Sequence, residues 1–274
     1  MSDLALRTLS GAGFIAVMLC GLLINPFLFA ALIIFIMTTM MIEFYRMAMG
    51  SRHILSRWIA IFTGIAEFCL LFSYCKWQID VKFTALPLTL LMAVMISSIF
   101  SGDKEHMSDY AYILAGIVYI ALPMSLSNLI AFKGGQFNAL LLLSFFILIW
   151  FSDIGAYVIG RAFGAGKKKL APDISPKKTW TGFWGGMSFC ILAAIVLELT
   201  GIFPFPWYHC ILLAVIMNLG GVCGDLYESM WKRHFGVKDS GRIIPGHGGM
   251  LDRFDSTLIA MPLGAIYLSV CGLI

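Results

Sequence analysis

The stretch from Phe27 to Tyr45, FLFAALIIFIMTTMMIEFY, decides the fold class, because its 19 residues include a single charged side chain, Glu43. A helix needs about 20 apolar residues to cross the hydrocarbon core of a membrane. Similar runs recur along the 274 residues, of which 60% are hydrophobic and 12% are charged, with a mean hydropathy of +0.90. Soluble domains carry about 25% charged residues. This composition excludes a soluble globular enzyme and a disordered chain.

Polar interruptions divide the chain into about nine predicted membrane helices. A helix satisfies its backbone hydrogen bonds internally, which hydrocarbon requires. The sequence therefore predicts an all-α polytopic integral membrane protein. Its expected spans lie near 7–24, 27–45, 58–74, 83–100, 110–131, 138–160, 181–200, 207–230 and 253–273. The run after Arg7 is similar to a secretory signal, but no small-residue cleavage pattern follows it, so we expect a retained first span.

The basic residues predict the orientation of these spans. If the N-terminus lies inside, 16 of the 19 Lys and Arg residues fall on the inner side. The three on the outer side are Lys76, Lys82 and Lys133. Positive residues concentrate in the cytoplasmic loops of membrane proteins. We therefore predict a cytoplasmic N-terminus and a C-terminus on the outside.

The polar residues of the predicted spans and loops divide the chain near residue 135. Residues 1–135 hold about five plain N-terminal spans, whereas 136–274 hold about four spans and two long cytoplasmic loops, 161–180 and 231–252. Long loops are commonly functional. We therefore expect the catalytic region in residues 136–274.

The predicted eighth span ends in a polar cluster. Asp225, Glu228 and Ser229 are spaced i, i+3, i+4 and share one helix face. An acid at the edge of a span is a functional candidate, because it is costly to place in hydrocarbon. A helix that starts at Trp207 brings Asp225 near the cytoplasmic boundary after about 19 residues, and Asp153 lies at a similar depth in the sixth span. A salt-bridged or snorkelling helix end is the alternative explanation.

A second acidic cluster begins the ninth span. Asp252 and Asp255 follow the segment Pro245–Gly249, which contains His247. Carboxylates suit a hard cation such as Mg²⁺, which takes phosphate oxygens as further ligands. Helix capping explains one such acid, but not an acidic cluster on the neighbouring span as well. We predict a metal and phosphate site, with His247 placed to bind phosphate. The basic residues expected to neutralise phosphate are Lys232, Arg233, Lys238 and Arg253.

The loop before the seventh span adds more positive charge. Lys177 and Lys178 precede Thr179 at the span entrance, whereas Lys167–Lys169 is explained by topology and by anionic lipid headgroups. The clusters of spans six to nine are predicted at one membrane face and one depth. A cation bound at this depth could contact both a water-soluble polyphosphate and a lipid headgroup. The sequence lacks a P-loop and a dinucleotide fingerprint.

These segments resemble the integral-membrane phosphatidate cytidylyltransferases, or CDP-diacylglycerol synthases. The resemblance covers about residues 145–260, and one position departs from it, because Thr181 stands where the family commonly has an acid. Three segments carry it: Ser152–Tyr157, Ser175–Thr179, and the spaced string from Ser229 through Lys232-Arg233, Lys238-Asp239 and Pro245–Gly249 to Asp252-Arg253 and Asp255.

The resemblance implies transfer of CMP from CTP to phosphatidate, which gives CDP-diacylglycerol and pyrophosphate for phospholipid biosynthesis. It implies Mg²⁺, with a second metal ion left open, and the inner (cytoplasmic) membrane of a bacterium with the site facing the cytoplasm. No nucleic acid partner is expected. The implied metal ligands are Asp225, Asp252 and Asp255, which with Lys232 and Arg233 form the catalytic set. The implied substrate-binding residues are Ser229, Lys238, Lys177, Lys178, His247, Arg253 and Asp153.

Several alternatives stay open at this point. A CTP-dependent polyprenol or phytol kinase is the alternative enzyme, and it would release CDP. A transporter would carry charges through the bilayer midplane and show inverted repeats. The small residues Gly220–Gly224 allow helix pairing and so a homodimer. Glu67 has no assigned role, and Glu43, near a span end, is expected to snorkel. The sequence does not distinguish CTP from dCTP or reveal an acyl-chain preference.

Overall fold

The computed structural model describes residues 3–100, 107–243 and 248–274, except for the side chains of residues 3–9 and 107. A 3₁₀ turn at Val81–Ala85 precedes the fourth helix, and a π-helical turn at Ile117–Ala121 joins the fifth to the sixth. The helices are α1 (Asp3–Leu23), α2 (Pro26–Met49), α3 (Ile54–Trp77), α4 (Pro87–Phe100), α5 (Met107–Gly116), α6 (Leu122–Ala131), α7 (Leu140–Phe163), α8 (Trp180–Leu199), α9 (Trp207–His234) and α10 (Leu251–Val270). The strands form two antiparallel hairpins, β1 (Phe132–Lys133) with β2 (Gln136–Phe137) and β3 (Lys169–Ala171) with β4 (Ser175–Thr179).

Seven helical segments within the described ranges are long and apolar enough to cross a membrane. One of them, Ser108–Ala131, joins α5 and α6 through the π-helical turn. The first helix contributes a shorter apolar stretch, Ser10–Leu23, and α10 is not among the seven. The structure therefore confirms an all-α polytopic membrane protein. The count of nine spans and the orientation of the termini stay predictions.

The break between α1 and α2 has a local cause. Asn25 caps α2, because its Oδ1 accepts hydrogen bonds from the N–H groups of Phe27 (3.0 Å) and Leu28 (2.9 Å). Pro26 then occupies the first turn of α2, where its missing N–H group costs nothing. The break that the sequence predicts between the spans 7–24 and 27–45 is therefore confirmed.

The predicted loop 161–180 is more ordered than expected. Helix α7 continues to Phe163, and β3 pairs with β4, with Lys169 opposite Thr179. Thr179 then caps α8 by accepting a hydrogen bond from the Gly182 N–H group (3.1 Å). Strand propensity does not predict this hairpin from the sequence, because lysine and proline are uncommon in strands.

The chain forms two compact units. The first unit comprises Met1–Asn138 and Val237–Arg253, and the second comprises Ala139–Gly236 and Phe254–Ile274. Most of the predicted loop 231–252 therefore groups with the N-terminal helices. The assignment of catalysis to residues 136–274 stays a prediction.

The core of the first unit forms around α2. Its side chains at Phe29, Ile33, Met37 and Met40 are fully buried. Near the C-terminal end of α2, the Tyr45 hydroxyl donates a hydrogen bond to the Ile113 carbonyl oxygen of α5 (2.9 Å). This polar contact satisfies a hydroxyl that is buried among apolar side chains.

Glycines allow close helix packing in the second unit. A Cβ atom on Gly155 of α7 would lie 2.6 Å from the Phe189 Cβ atom of α8, and one on Gly220 of α9 would lie 2.7 Å from the Ala260 Cα atom of α10. Small residues that let backbones approach are typical of helix packing in membranes. Gly220 and Gly224 therefore face α10 of the same chain. They do not supply the free surface that the sequence suggested for a homodimer, which stays a prediction.

Replacement of Gly220 by alanine should destabilise the protein. The added methyl group would overlap the backbone at Ala260, and overpacking costs about 1–3 kcal/mol. We expect Gly220→Ala to lower the thermal unfolding midpoint in detergent. Gly13→Ala is the matched control, because a Cβ atom there meets nothing within 4 Å. Equal midpoints for the two variants would contradict the packing of α9 against α10.

Candidate functional site

Lys178 and Asp225 form an ion pair within the second unit. Lys178 lies on β4, which the hairpin with β3 holds against the start of α8, and Asp225 lies in the last three turns of α9. Their side chains are 27% and 30% exposed, so this pair remains accessible to a ligand. Ser229 is one helical turn further on, with its Oγ atom 3.4 Å from Asp225 Oδ1. The structure therefore brings together three of the predicted site residues.

Two more predicted acids lie near this ion pair. Asp255 is close enough to Asp225 and Asp153 for their charges to interact, and it also interacts with Lys232. Gly224 allows α9 to approach α10 this closely, because a Cβ atom at position 224 would crowd the α10 backbone, only 3.0 Å from the Ser256 Cα atom. Carboxylates repel one another unless cations compensate their charge. The second unit thus gathers Asp153, Asp225 and Asp255 beside two lysines.

The acids of the second unit suit Mg²⁺ by ligand type. This cation prefers oxygen ligands and often takes one or two carboxylates, with water and substrate phosphates supplying the rest. Within the described residues, no group of three or more His, Cys, Asp or Glu side chains is placed to hold a metal ion by itself. The arrangement of Asp225 and Asp255 is compatible with a cation that is bound jointly with a substrate.

Glu228 is the most deeply buried acid of α9. Its side chain is 0% exposed and forms an ion pair with Lys232, four residues later, whose side chain is 12% exposed. Lys232 is one of the basic residues predicted to neutralise phosphate, and here a neighbouring carboxylate already compensates its charge. On the helix face that Asp225, Glu228 and Ser229 share, Glu228 therefore belongs to a buried ion pair, whereas Asp225 and Ser229 belong to the more exposed cluster.

The remaining predicted residues of the second unit lie around this cluster. Arg233 places its Nε atom 3.5 Å from the Ile174 carbonyl oxygen, which links the end of α9 to the β3–β4 turn. The side chains of Lys177 and Asp153 are exposed.

Asp252 lies in the first unit, where it organises its own loop. Its Oδ2 atom accepts hydrogen bonds from the Ser240 N–H group (3.0 Å), the Ser240 hydroxyl (3.0 Å) and the Gly249 N–H group (2.8 Å). Lys238 and Arg253 are exposed in the same unit. His247 lies outside the described residues. The structure therefore gives Asp252 a fixed position, and the role of His247 stays a prediction.

Glu43 is the polar residue that sequence reasoning missed. It was expected to snorkel to the interface, but its side chain is buried and only 8% of the residue is exposed. It accepts hydrogen bonds from the N–H groups of Met250 (3.0 Å) and Leu251 (2.8 Å). The prediction was wrong because its partners lie about 200 residues further along the chain. An acid in an apolar stretch was the only available signal.

These features define an integral membrane protein with accessible acidic and basic groups suited to phosphate and divalent-cation chemistry. Residues 5–271 match the cytidylyltransferase family, and the chain belongs to that family.

Its relatives include three bacterial proteins named phosphatidate cytidylyltransferase. The chain is 36% identical to the one from Bacillus subtilis (strain 168) over 185 residues, which cover 68% of this chain and 66% of that protein. For Staphylococcus epidermidis (strain ATCC 12228 / FDA PCI 1200), identity is 38% over 170 residues, covering 62% and 63%. For Staphylococcus haemolyticus (strain JCSC1435), it is 35% over 205 residues, covering 74% and 76%. The matches thus span slightly under two thirds of the first two relatives.

Loss of the Glu228 carboxylate should destabilise the second unit. Glu228→Ala would leave Lys232 largely buried without this counter-charge, and breaking a buried pair costs about 3–5 kcal/mol. We expect a lower midpoint of unfolding in denaturant. Asp173→Ala is the matched control, because Asp173 is an exposed acid of the same unit, and exposed substitutions usually change stability by no more than about 0.5 kcal/mol. A midpoint for Glu228→Ala no lower than that of the control would contradict this assignment.

Proposed function

We propose that the protein transfers CMP from CTP to phosphatidate and so makes CDP-diacylglycerol and pyrophosphate for phospholipid biosynthesis. The observation that carries the proposal is the accessible Lys178–Asp225 pair, with Asp255 nearby, in a member of the cytidylyltransferase family. The names of the relatives support phosphatidate as the lipid substrate. They do not favour the polyprenol or phytol kinase alternative.

The proposed reaction is a displacement at the α-phosphorus of CTP. A phosphate oxygen of phosphatidate forms a new P–O bond there, while the bond from that phosphorus to the bridging oxygen of the β-phosphate breaks. Pyrophosphate leaves with the electron pair. Because the nucleophile is already an anion, no strong general base is needed. The main barrier is repulsion between two polyanions, which positive groups lower.

The residues of this chain would supply binding and charge compensation. Asp225, Asp252 and Asp255 are the proposed metal ligands, and Ser229 would donate a hydrogen bond to phosphate. When bound, Mg²⁺ would supply positive charge that compensates the phosphate oxygens. Asp153 is assigned to the substrate-binding set with the basic residues. The basic residues proposed to bind phosphates are Lys177, Lys178, Lys232, Arg233, Lys238, Arg253 and His247.

Direct assay with the proposed substrates tests the function. Purified protein is incubated with CTP, phosphatidate and Mg²⁺, and both pyrophosphate and CDP are measured. We expect pyrophosphate and CDP-diacylglycerol in equal amounts. Release of CDP with a polyprenol or phytol acceptor, and no pyrophosphate with phosphatidate, would favour the kinase instead.

Substitution of the proposed metal ligands tests the site. Asp225→Asn and Asp252→Asn keep the side-chain size but lose the charge, so we expect each to reduce turnover roughly 100-fold or more. Asp173→Asn is the matched control, because Asp173 is exposed in the β3–β4 turn. Membrane insertion and thermal midpoints are compared for all three variants. Near-normal turnover of either ligand variant at saturating Mg²⁺ would refute the metal assignment.

We also propose that the protein lies in the inner membrane of a bacterium, with its N-terminus and active site facing the cytoplasm and its C-terminus outside. The excess of Lys and Arg in the predicted inner segments supports this orientation. A reporter enzyme that is active only outside the cytoplasm should be active when fused after Ile274. The same reporter inserted after Asp173 should be inactive. The reverse pattern would refute the orientation.

A further inference from the structure

We propose that Glu43 is a positioning residue that holds the start of α10, and through it Asp252, in the conformation needed for metal binding. The inference rests on the proposed function, because Asp252 matters to the reaction only as a ligand. Glu43 lies on α2, outside the predicted catalytic region of residues 136–274.

Both carboxylate oxygens of Glu43 contact one short segment of the first unit. Oε1 accepts a hydrogen bond from the Met250 N–H group (3.0 Å), and Oε2 accepts one from the Leu251 N–H group (2.8 Å). These amides lie at the N-terminus of α10, where backbone N–H groups lack partners within the helix. A carboxylate there is also favoured by the helix dipole. Glu43 therefore acts as a cap supplied by a distant helix.

Ser240 connects this cap to Asp252. Its hydroxyl oxygen lies 3.2 Å from Glu43 Oε2 and 3.0 Å from Asp252 Oδ2. A hydroxyl group has one hydrogen, so Ser240 donates to only one of the two carboxylates at a time. The positions of Glu43 and Asp252 are thus coupled through one side chain as well as through the backbone from Gly249 to Leu251.

Two glycines make room for Glu43 beside this loop. A Cβ atom on Gly241 would lie 2.6 Å from Glu43 Cδ, and one on Gly249 would lie 2.6 Å from Glu43 Oε2. Real Cβ atoms are not found so close to other heavy atoms. The loop backbone therefore encloses the carboxylate at a distance that only glycine permits. This fit on both sides argues against a carboxylate that is buried by chance.

Glu43→Gln tests the proposal with the least change in shape. Glutamine retains one oxygen, so its NH₂ group would face one of the two amide donors. We expect faster amide hydrogen exchange in a peptide covering residues 248–253. Manganese, used as a spectroscopic substitute for Mg²⁺, should bind about tenfold more weakly, as is typical when a residue supporting a metal ligand is lost. The Mg²⁺ concentration for half-maximal turnover should rise by a similar factor, with less change in KM for CTP.

Glu67→Gln is the matched control, because Glu67 is a partly buried acid of α3 in the same unit. It should leave exchange at residues 248–253 and manganese affinity as in the unaltered protein. Ser240→Ala removes only the hydroxyl link, so a smaller loss of manganese affinity is expected. It provides the test if Glu43→Gln does not fold. Glu43→Asp retains two oxygens on a shorter side chain and should recover part of the lost affinity.

Two results would overturn the positioning role. The first is unchanged exchange at residues 248–253 in Glu43→Gln. The second is faster exchange with unchanged manganese affinity, which would make Glu43 purely structural. Failure of the proposed function gives a different result, because the unaltered protein would then release no pyrophosphate. Manganese binding would still decide the role of Glu43 in that case.

Discussion

A carboxylate that leaves water must find hydrogen-bond donors or a cation, and this requirement governs the polar architecture of both units. The cost of an uncompensated buried charge is several kcal/mol even after a protein relaxes around it. In the first unit, backbone amides and a hydroxyl compensate Glu43. In the second, lysines compensate Glu228 and Asp225. The three acids differ mainly in exposure, and only Asp225 has a side chain that is substantially exposed.

This pairing suggests how a highly charged site remains stable before its substrates arrive. In the proposed reaction, a cation would compensate Asp225 and phosphate oxygens would compensate Lys178. Asp225 would then exchange Lys178 for the cation, and Lys178 would exchange Asp225 for phosphate oxygens. Each side chain would keep a partner of opposite charge. The buried pair of Glu228 and Lys232 is less suited to such exchange, because both side chains are almost inaccessible. We therefore expect the contribution of Glu228 to lie mainly in fixing the end of α9.

The sequence predicted features that depend on local patterns. The apolar runs gave the membrane class, the Asn25-Pro26 break is explained by a cap within three residues, and the spacing of Asp225 and Ser229 gave their common helix face. Features built from distant parts of the chain were not predictable. Nothing near Glu43 indicates that its partners are Met250 and Leu251, and the pairing of Lys178 with Asp225 depends on the β3–β4 hairpin.

The separation between Glu43 and its amide partners also constrains how the protein is made. Met250 follows Glu43 by 207 residues, which takes roughly 10 to 40 s at ordinary rates of protein synthesis. During that interval α2 emerges from the ribosome and meets the membrane with an acid whose permanent partners have not yet been translated. Insertion of α2 must therefore tolerate a Glu43 that is still hydrated or only temporarily paired. The side chain that caps α10 in the folded protein therefore makes membrane insertion of α2 less favourable during synthesis.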